Sequence, residues 1–79
     1  PNTTIPIKVS KSDYINIKIF DSNGKFVKKL FNGELSIGQY SFRWNGLDEQ
    51  NMMVSSGIYF CKVIKKNNIL SSQKMVLLK

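Results

Sequence analysis

Alternation of apolar and polar residues runs through most of this sequence. In "YINIKIF", residues 14–20, isoleucine takes every second position, and "QYSFRW", residues 39–44, places three aromatic side chains in the same rhythm. Successive side chains of a β-strand point to opposite faces, whereas a helix repeats every 3.6 residues. Because no window of helix length shows the helical period, the alternation predicts a chain built from strands that each bury one face.

Turn-forming residues separate the alternating segments. They are "DSNG", "NGELSIG", "NGLDEQNMMVSS" with a short strand at residues 52–54, and the Asn67-Asn68 pair. Pro6 has no N–H to donate, so the strand that contains it is predicted to lie at a sheet edge. The uneven alternation of "KFVKKLF", residues 25–31, predicts a bulge. The pattern as a whole predicts an all-β, seven-stranded antiparallel sandwich.

The inward positions of these strands define one predicted core. It contains Ile5, Ile7, Ile15, Ile17, Ile19, Val27, Leu30, Tyr40, Phe42, Trp44, Tyr59, Cys61, Val63, Met75 and Leu77. The aromatic row at residues 40, 42 and 44 could instead form a stacking platform for sugars or bases. Strand spacing inside a sandwich favours the core interpretation.

The length of 79 residues allows one small domain, residues 1–79, with a thin core. The chain begins at Pro1 without an initiator Met, and we expect it to be a fragment of a longer secreted protein. No apolar run approaches the roughly 20 residues that a membrane span needs, so membrane insertion is not expected.

The residue types needed for catalysis are sparse. The sequence has no histidine and a single cysteine, Cys61, which its position in a strand marks as a small buried hydrophobe. Asp13 and Asp21 bracket a strand and should lie about 20 Å apart or more, too far for joint acid–base work. A calcium site built from Asp21, Asn23 and Asp48 is a minor alternative. The sequence therefore predicts no catalytic residue, no cofactor and no resident metal.

The charge balance is basic, with 12 Lys and Arg against five Asp and Glu, a net charge of +7. Eleven of the twelve cations are lysines without a long run, and only Arg43 offers a guanidinium group. A solvated lysine face is the favoured interpretation and an anionic partner the alternative, and no nucleic-acid partner is predicted.

Several motifs, in order along the whole chain, carry a resemblance to a known family. They are "IFDSNGKFVKKL" (residues 19–30), "GQYSFRWNG" (residues 38–46), "SSGIYF" (residues 55–60) and "KMVLLK" (residues 74–79). This pattern resembles the C-terminal sorting domain of proteins exported by the bacterial type IX secretion system, which is itself similar to the immunoglobulin-like domain of flagellar hook-capping proteins. Asn45, Asn51 and Cys61 depart from the family pattern. Gly24 and Gly46 are expected at positive φ in its turns.

The resemblance implies an immunoglobulin-like sandwich that serves as a non-catalytic secretion signal. Its implied partners are the type IX secretion machinery, a sortase-like peptidase and an N-terminal cargo domain of the same chain, and its implied destination is the cell surface or the medium. The last strand is the expected recognition element, formed by Lys74, Met75, Val76, Leu77, Leu78 and Lys79. Alternatives are a structural module, hook-capping-like or adhesin-like, and a glycan-binding or anionic-polymer-binding module.

Overall fold

The computed structural model describes residues 2–79, which form two antiparallel sheets. The strands are β1 (Thr3–Val9), β2 (Asp13–Asp21), β3 (Phe26–Leu35), β4 (Gly38–Trp44), β5 (Gly57–Lys65) and β6 (Asn68–Leu77). One sheet pairs β1 with β4, and the other has the order β3-β2-β5-β6. The all-β sandwich is therefore confirmed. As the edge-strand prediction for Pro6 requires, β1 pairs only with β4.

The predicted seventh strand is absent from the described residues. Instead, residues 45–56 form a loop in which only an isolated bridge joins Leu47 and Met53. The carboxylate of Asp48 accepts hydrogen bonds from the backbone N–H groups of Gln50 and Met52, at 2.9 and 3.0 Å. The bond from Met52 satisfies a backbone donor that a strand would have paired with a neighbour, so the prediction of a strand at residues 52–54 was wrong.

The β2–β3 turn follows the prediction from "DSNG". The Gly24 N–H donates to the Asp21 carbonyl at 3.0 Å, and an Asp21 carboxylate oxygen accepts from two backbone N–H groups of the turn. Gly24 and Gly46 have φ of 82° and 78°, as expected for turns that favour glycine. The β5–β6 hairpin turn lies one residue earlier than predicted, at residues 66–67.

Strand β3 is longer than the sequence indicated, because "NGEL" continues the strand instead of connecting it to the next. Gly33 lies opposite Ile15 in register, and the ring of Phe31 covers it: an added Cβ would lie 3.1 Å from Cζ of that ring. The predicted bulge is confirmed. The register against β2 shifts twice, leaving Val27 and Leu30 as the extra residues of β3.

The core lies between the two sheets, as the alternation predicted. The buried residues are Ile5, Ile7, Val9, Ile15, Ile17, Ile19, Val27, Trp44, Tyr59, Cys61, Val63, Met75 and Leu77. Val9 is an addition to the predicted set. Trp44 is only 1% exposed, and its ring meets that of Tyr59 edge-on at 5.1 Å between centroids. Trp44 is therefore a core residue, and its part in a stacking platform is excluded.

Three predicted core residues, Leu30, Tyr40 and Phe42, are only partly buried. Leu30 is an extra residue of the β3 bulge, so its side chain does not follow the alternation of the strand. Tyr40 and Phe42 belong to a sheet of two strands that faces a sheet of four. Their rings lie on β4, and Phe42 packs against Phe31 of β3 at 5.6 Å between centroids. A sheet this narrow cannot enclose both sides of its own aromatic row.

Candidate functional site

The segment at residues 74–79, predicted as a recognition element, is divided between the core and the surface. Met75 and Leu77 are buried, while Val76 is 58% and Leu78 75% exposed. Lys74 and Lys79 are also exposed. The backbone N–H of Lys79 donates to the Ser56 hydroxyl at 3.1 Å, which holds the segment beyond the end of β6 against the start of β5. The segment thus anchors the fold with two side chains and offers the others to solvent.

The backbone of β6 has an open edge. Its ten residues pair with β5 on one side, and on the other side no strand among residues 2–79 pairs with it. An edge strand presents unpaired N–H and C=O groups, and another extended chain can add to them as a further strand. Among the described residues, β6 thus offers a long backbone edge suited to strand addition.

Space beside this edge is available between the two sheets. An open crevice there is lined by Ile7 of β1, Cys61 of β5 and the polar residues Ser71 and Gln73 of β6. A second crevice, lined in part by Leu70, shares Ser71 with it. Apolar side chains of β1 and β5 and polar side chains of β6 thus line the gap that separates β1 from β6. A strand added to β6 could place alternate side chains over this gap.

The opposite edge of the same sheet is covered. The backbone N–H of Glu49 donates to the Val27 carbonyl at 3.1 Å, and the Lys29 N–H donates to the Glu49 carboxylate at 2.7 Å. Both bonds join the loop at residues 45–56 to the outer edge of β3. The Trp44 indole N–H donates to the Leu47 carbonyl at 3.0 Å and ties the start of that loop to the core. The loop, for which the sequence predicted only a short strand at residues 52–54, thus protects an edge.

Catalytic geometry is missing from the described part of the chain. Burial raises the pKa of the Cys61 thiol to about 11, which keeps it neutral and unreactive near pH 7. No three His, Cys, Asp or Glu side chains within residues 2–79 are placed to hold a metal ion. Asp21 and Asp48, considered for calcium, each direct a carboxylate oxygen at backbone N–H groups of their own turns. No helix in the same residues is long and apolar enough to cross a bilayer.

Sequence reasoning missed a second aromatic row, on the outer face of the four-stranded sheet. Phe26, Phe20 and Phe60 are successive register partners on β3, β2 and β5. Phe26 is 44% exposed and the other two are partly exposed. The signal was present in the alternation, because Phe20 and Phe60 are out of phase with the buried residues Ile19 and Tyr59.

Comparisons with known proteins agree with this architecture. A family model described as the FlgD Ig-like domain matches residues 4–68. A solved structure, described as the crystal structure of FLGD from P. aeruginosa, superimposes with a TM-score of 0.71 at 19% sequence identity and covers 94% of this chain. The chain spans 58% of that structure's length. No curated protein matches the sequence. The family match extends over most of the chain, which therefore belongs to the FlgD Ig-like domain family.

Proposed function

We propose that this domain is a non-catalytic structural and interaction module, hook-capping-like in kind, that packs against a neighbouring domain or subunit. The observation that carries the proposal is the family match over residues 4–68. The fold shared with FLGD from P. aeruginosa agrees with it. The hook-capping-like role was the alternative in the sequence interpretation, and the comparisons favour it over the secretion signal.

The contact that we propose for this role is the open edge of β6. A neighbouring strand can pair with its backbone, while the exposed side chains of Val76 and Leu78 supply apolar contact area. At the other edge of this sheet, Glu49 already bonds to the backbone of β3, so fewer backbone groups are free to pair with a partner. The module would therefore join its neighbour through one defined edge.

Site-specific photo-crosslinking in cells that express the protein tests this contact. A benzoylphenylalanine placed at Val76 should give one discrete crosslinked product, either with a second copy or with a neighbouring protein. Benzoylphenylalanine placed at the exposed Gln39, on the two-stranded sheet, is the matched control and should give no discrete crosslinked product. Equal yields at both positions, or no discrete product from position 76, would contradict the proposal.

A second candidate is the secretion address, with the type IX machinery and a sortase-like peptidase as partners. It is favoured by the order of the four resembling motifs and by "KMVLLK", which lies beyond the residues that the family model matches. In this role Lys74 to Lys79 would be read during export to the cell surface or the medium.

A reporter fusion separates the two candidates. The 79-residue chain is placed behind a periplasmic reporter in a bacterium that has this export system. Appearance of the reporter in the medium or on the cell surface supports the secretion address. Retention in the periplasm, with the domain folded, contradicts the address and leaves the structural role as it stands.

A further inference from the structure

Lysines form a row across the outer face of the four-stranded sheet, next to the phenylalanine row. Lys29, Lys18 and Lys62 are successive register partners on β3, β2 and β5. In the adjacent row, Lys74 of β6 follows Phe60 in register. Residues directly opposite each other in antiparallel strands lie on the same face. Three strands thus place lysine residues side by side on one face.

This arrangement is unfavourable for the isolated domain. Like charges directly opposite each other on neighbouring strands destabilise a sheet. The one ion pair within residues 2–79 joins Lys65 and Asp13, so no carboxylate among the described residues pairs with the lysine row. At one end of the row the Glu49 carboxylate accepts from the backbone N–H of Lys29, but the ammonium groups of the three lysines form no ion pair within residues 2–79. An anionic partner would supply a counter-charge.

The phenylalanine row narrows the chemistry of that partner. The Lys18 ammonium lies 5.6 Å from the centre of the Phe26 ring, and the Lys62 ammonium lies 4.9 Å from that of Phe20. These contacts place cations over the rings of Phe26 and Phe20, in the position that a stacked base or sugar would take. Beyond the rings, Ile58 and Val76 pair across strands and extend the apolar strip. The exposed parts of this strip offer contact area for apolar side chains of a partner, beside the charged row.

We propose that this face docks an acidic polypeptide segment, with carboxylates over the lysine row and aliphatic side chains over the phenylalanine row. A second copy of the domain, face to face, would set one lysine row against another and is disfavoured by the net charge of +7. The proposed partner combines the negative charge that this face lacks with aliphatic side chains that can cover its exposed apolar strip. The backbone edge of β6 shares Val76 with this face, but Lys62 lies on β5 and away from that edge, so the Lys62 test bears on the face alone.

Selection from a display library of random peptides tests the face directly. The peptides are about ten residues long, the length of a long strand. Panning against the 79-residue chain should enrich sequences that combine Asp or Glu with aliphatic residues. A Lys62→Glu variant should bind the selected peptides roughly tenfold more weakly or worse. Its thermal midpoint should stay equal or rise, because the new carboxylate lies opposite Lys18.

A Lys8→Glu variant is the matched control, since it makes the same charge change on the exposed surface of β1, in the other sheet. It should bind the selected peptides within about twofold of the unmodified chain, a difference well under 1 kcal/mol. The proposal is overturned if no acidic sequences are enriched or if Lys62→Glu and Lys8→Glu weaken binding equally. It is also overturned if a heparin fragment or oligothymidylate binds more tightly than the best selected peptide, which would indicate a general polyanion surface.

Discussion

The two edges of the four-stranded sheet differ in how their backbone groups are satisfied. At β3, Glu49 bonds to the backbone of both Val27 and Lys29, so a loop occupies the position of a further strand. At β6, ten residues end the sheet without such a cover in the described chain. Both edges close the same core, which β6 enters with Met75 and Leu77.

The difference indicates which edge is available to a partner. Sheet proteins protect their edges because unpaired strands recruit other chains. Here the long connection between β4 and β5 protects the β3 edge, and the edge of β6 is left open. A loop without catalytic groups thus has a physical role. It covers the β3 edge and leaves the β6 edge as the one open to the contact proposed above.

The largest effect is expected from removing the anchor of the covering loop. Trp44→Ala should lower the free energy of unfolding by about 3–5 kcal/mol, because it deletes a buried ring and the indole N–H bond to Leu47. Urea unfolding measures it. Trp44→Phe, which retains an aromatic ring but loses that bond, should cost less. If Trp44→Ala unfolded at an unchanged urea concentration, burial of the ring would be refuted.

Shortening a buried side chain of β6, on the open side of the sheet, should have the second-largest effect on stability. Leu77→Ala should destabilise the domain by about 2–5 kcal/mol, since Leu77 is buried between the sheets. The neighbouring Val76→Ala should stay within about 0.5 kcal/mol, because Val76 is exposed. Thermal unfolding of the pair checks it. Equal losses at the two positions would show that the alternation of β6 does not separate core from surface.

Uncovering the β3 edge should have a moderate effect. Glu49→Ala removes the carboxylate that accepts from the Lys29 N–H and should lower stability by about 1 kcal/mol. Amide exchange at Lys29 should accelerate, while exchange in β6 changes little. Glu34→Ala, at another exposed carboxylate of the same sheet, is the control. Unchanged exchange at Lys29 would mean that the loop does not protect this edge.

The charges at the end of the open side should matter least to folding. Lys74→Ala with Lys79→Ala should leave stability within about 0.5 kcal/mol, because both side chains are exposed. Export of a reporter fused to this double variant then tests whether the secretion machinery recognises the two charges. A normal export rate would leave the backbone edge or the overall shape as the recognised feature.

Acidic pH should weaken the link between β2 and β5, the two strands that separate the edges, at one end of the sheet. The Lys65 ammonium, 2.6 Å from the Asp13 carboxylate, holds the pKa of Asp13 below its usual value of 3.8. The contribution of the pair is present above pH 3.8 and is lost as the pH falls through the lowered pKa. In a plot of stability against pH, Asp13→Asn should therefore reduce the decline at the acidic end. An unchanged decline would contradict a role for this pair.

The local features of the fold could be predicted from the sequence. Alternation identified the buried side of every observed strand except the bulged β3, and "DSNG" identified the turn at Gly24, because side-chain direction and turn conformation depend on neighbouring residues. The division of residues 74–79 between core and surface followed from the same rhythm. The family resemblance led to the immunoglobulin-like fold, but it favoured the secretion signal over the hook-capping-like alternative that the family match supports.

Only the tertiary structure decided which strands lie side by side and which of their faces and edges stay exposed. Partial exposure of Tyr40 and Phe42 depends on the narrowness of their own two-stranded sheet, and the cover at β3 depends on where the loop at residues 45–56 returns. The adjacent rows on the outer face arise when the separate strands align in register. Register and sheet order join residues that are distant in sequence. Alternation within one strand determines which side is buried, but it cannot determine which strand lies beside it.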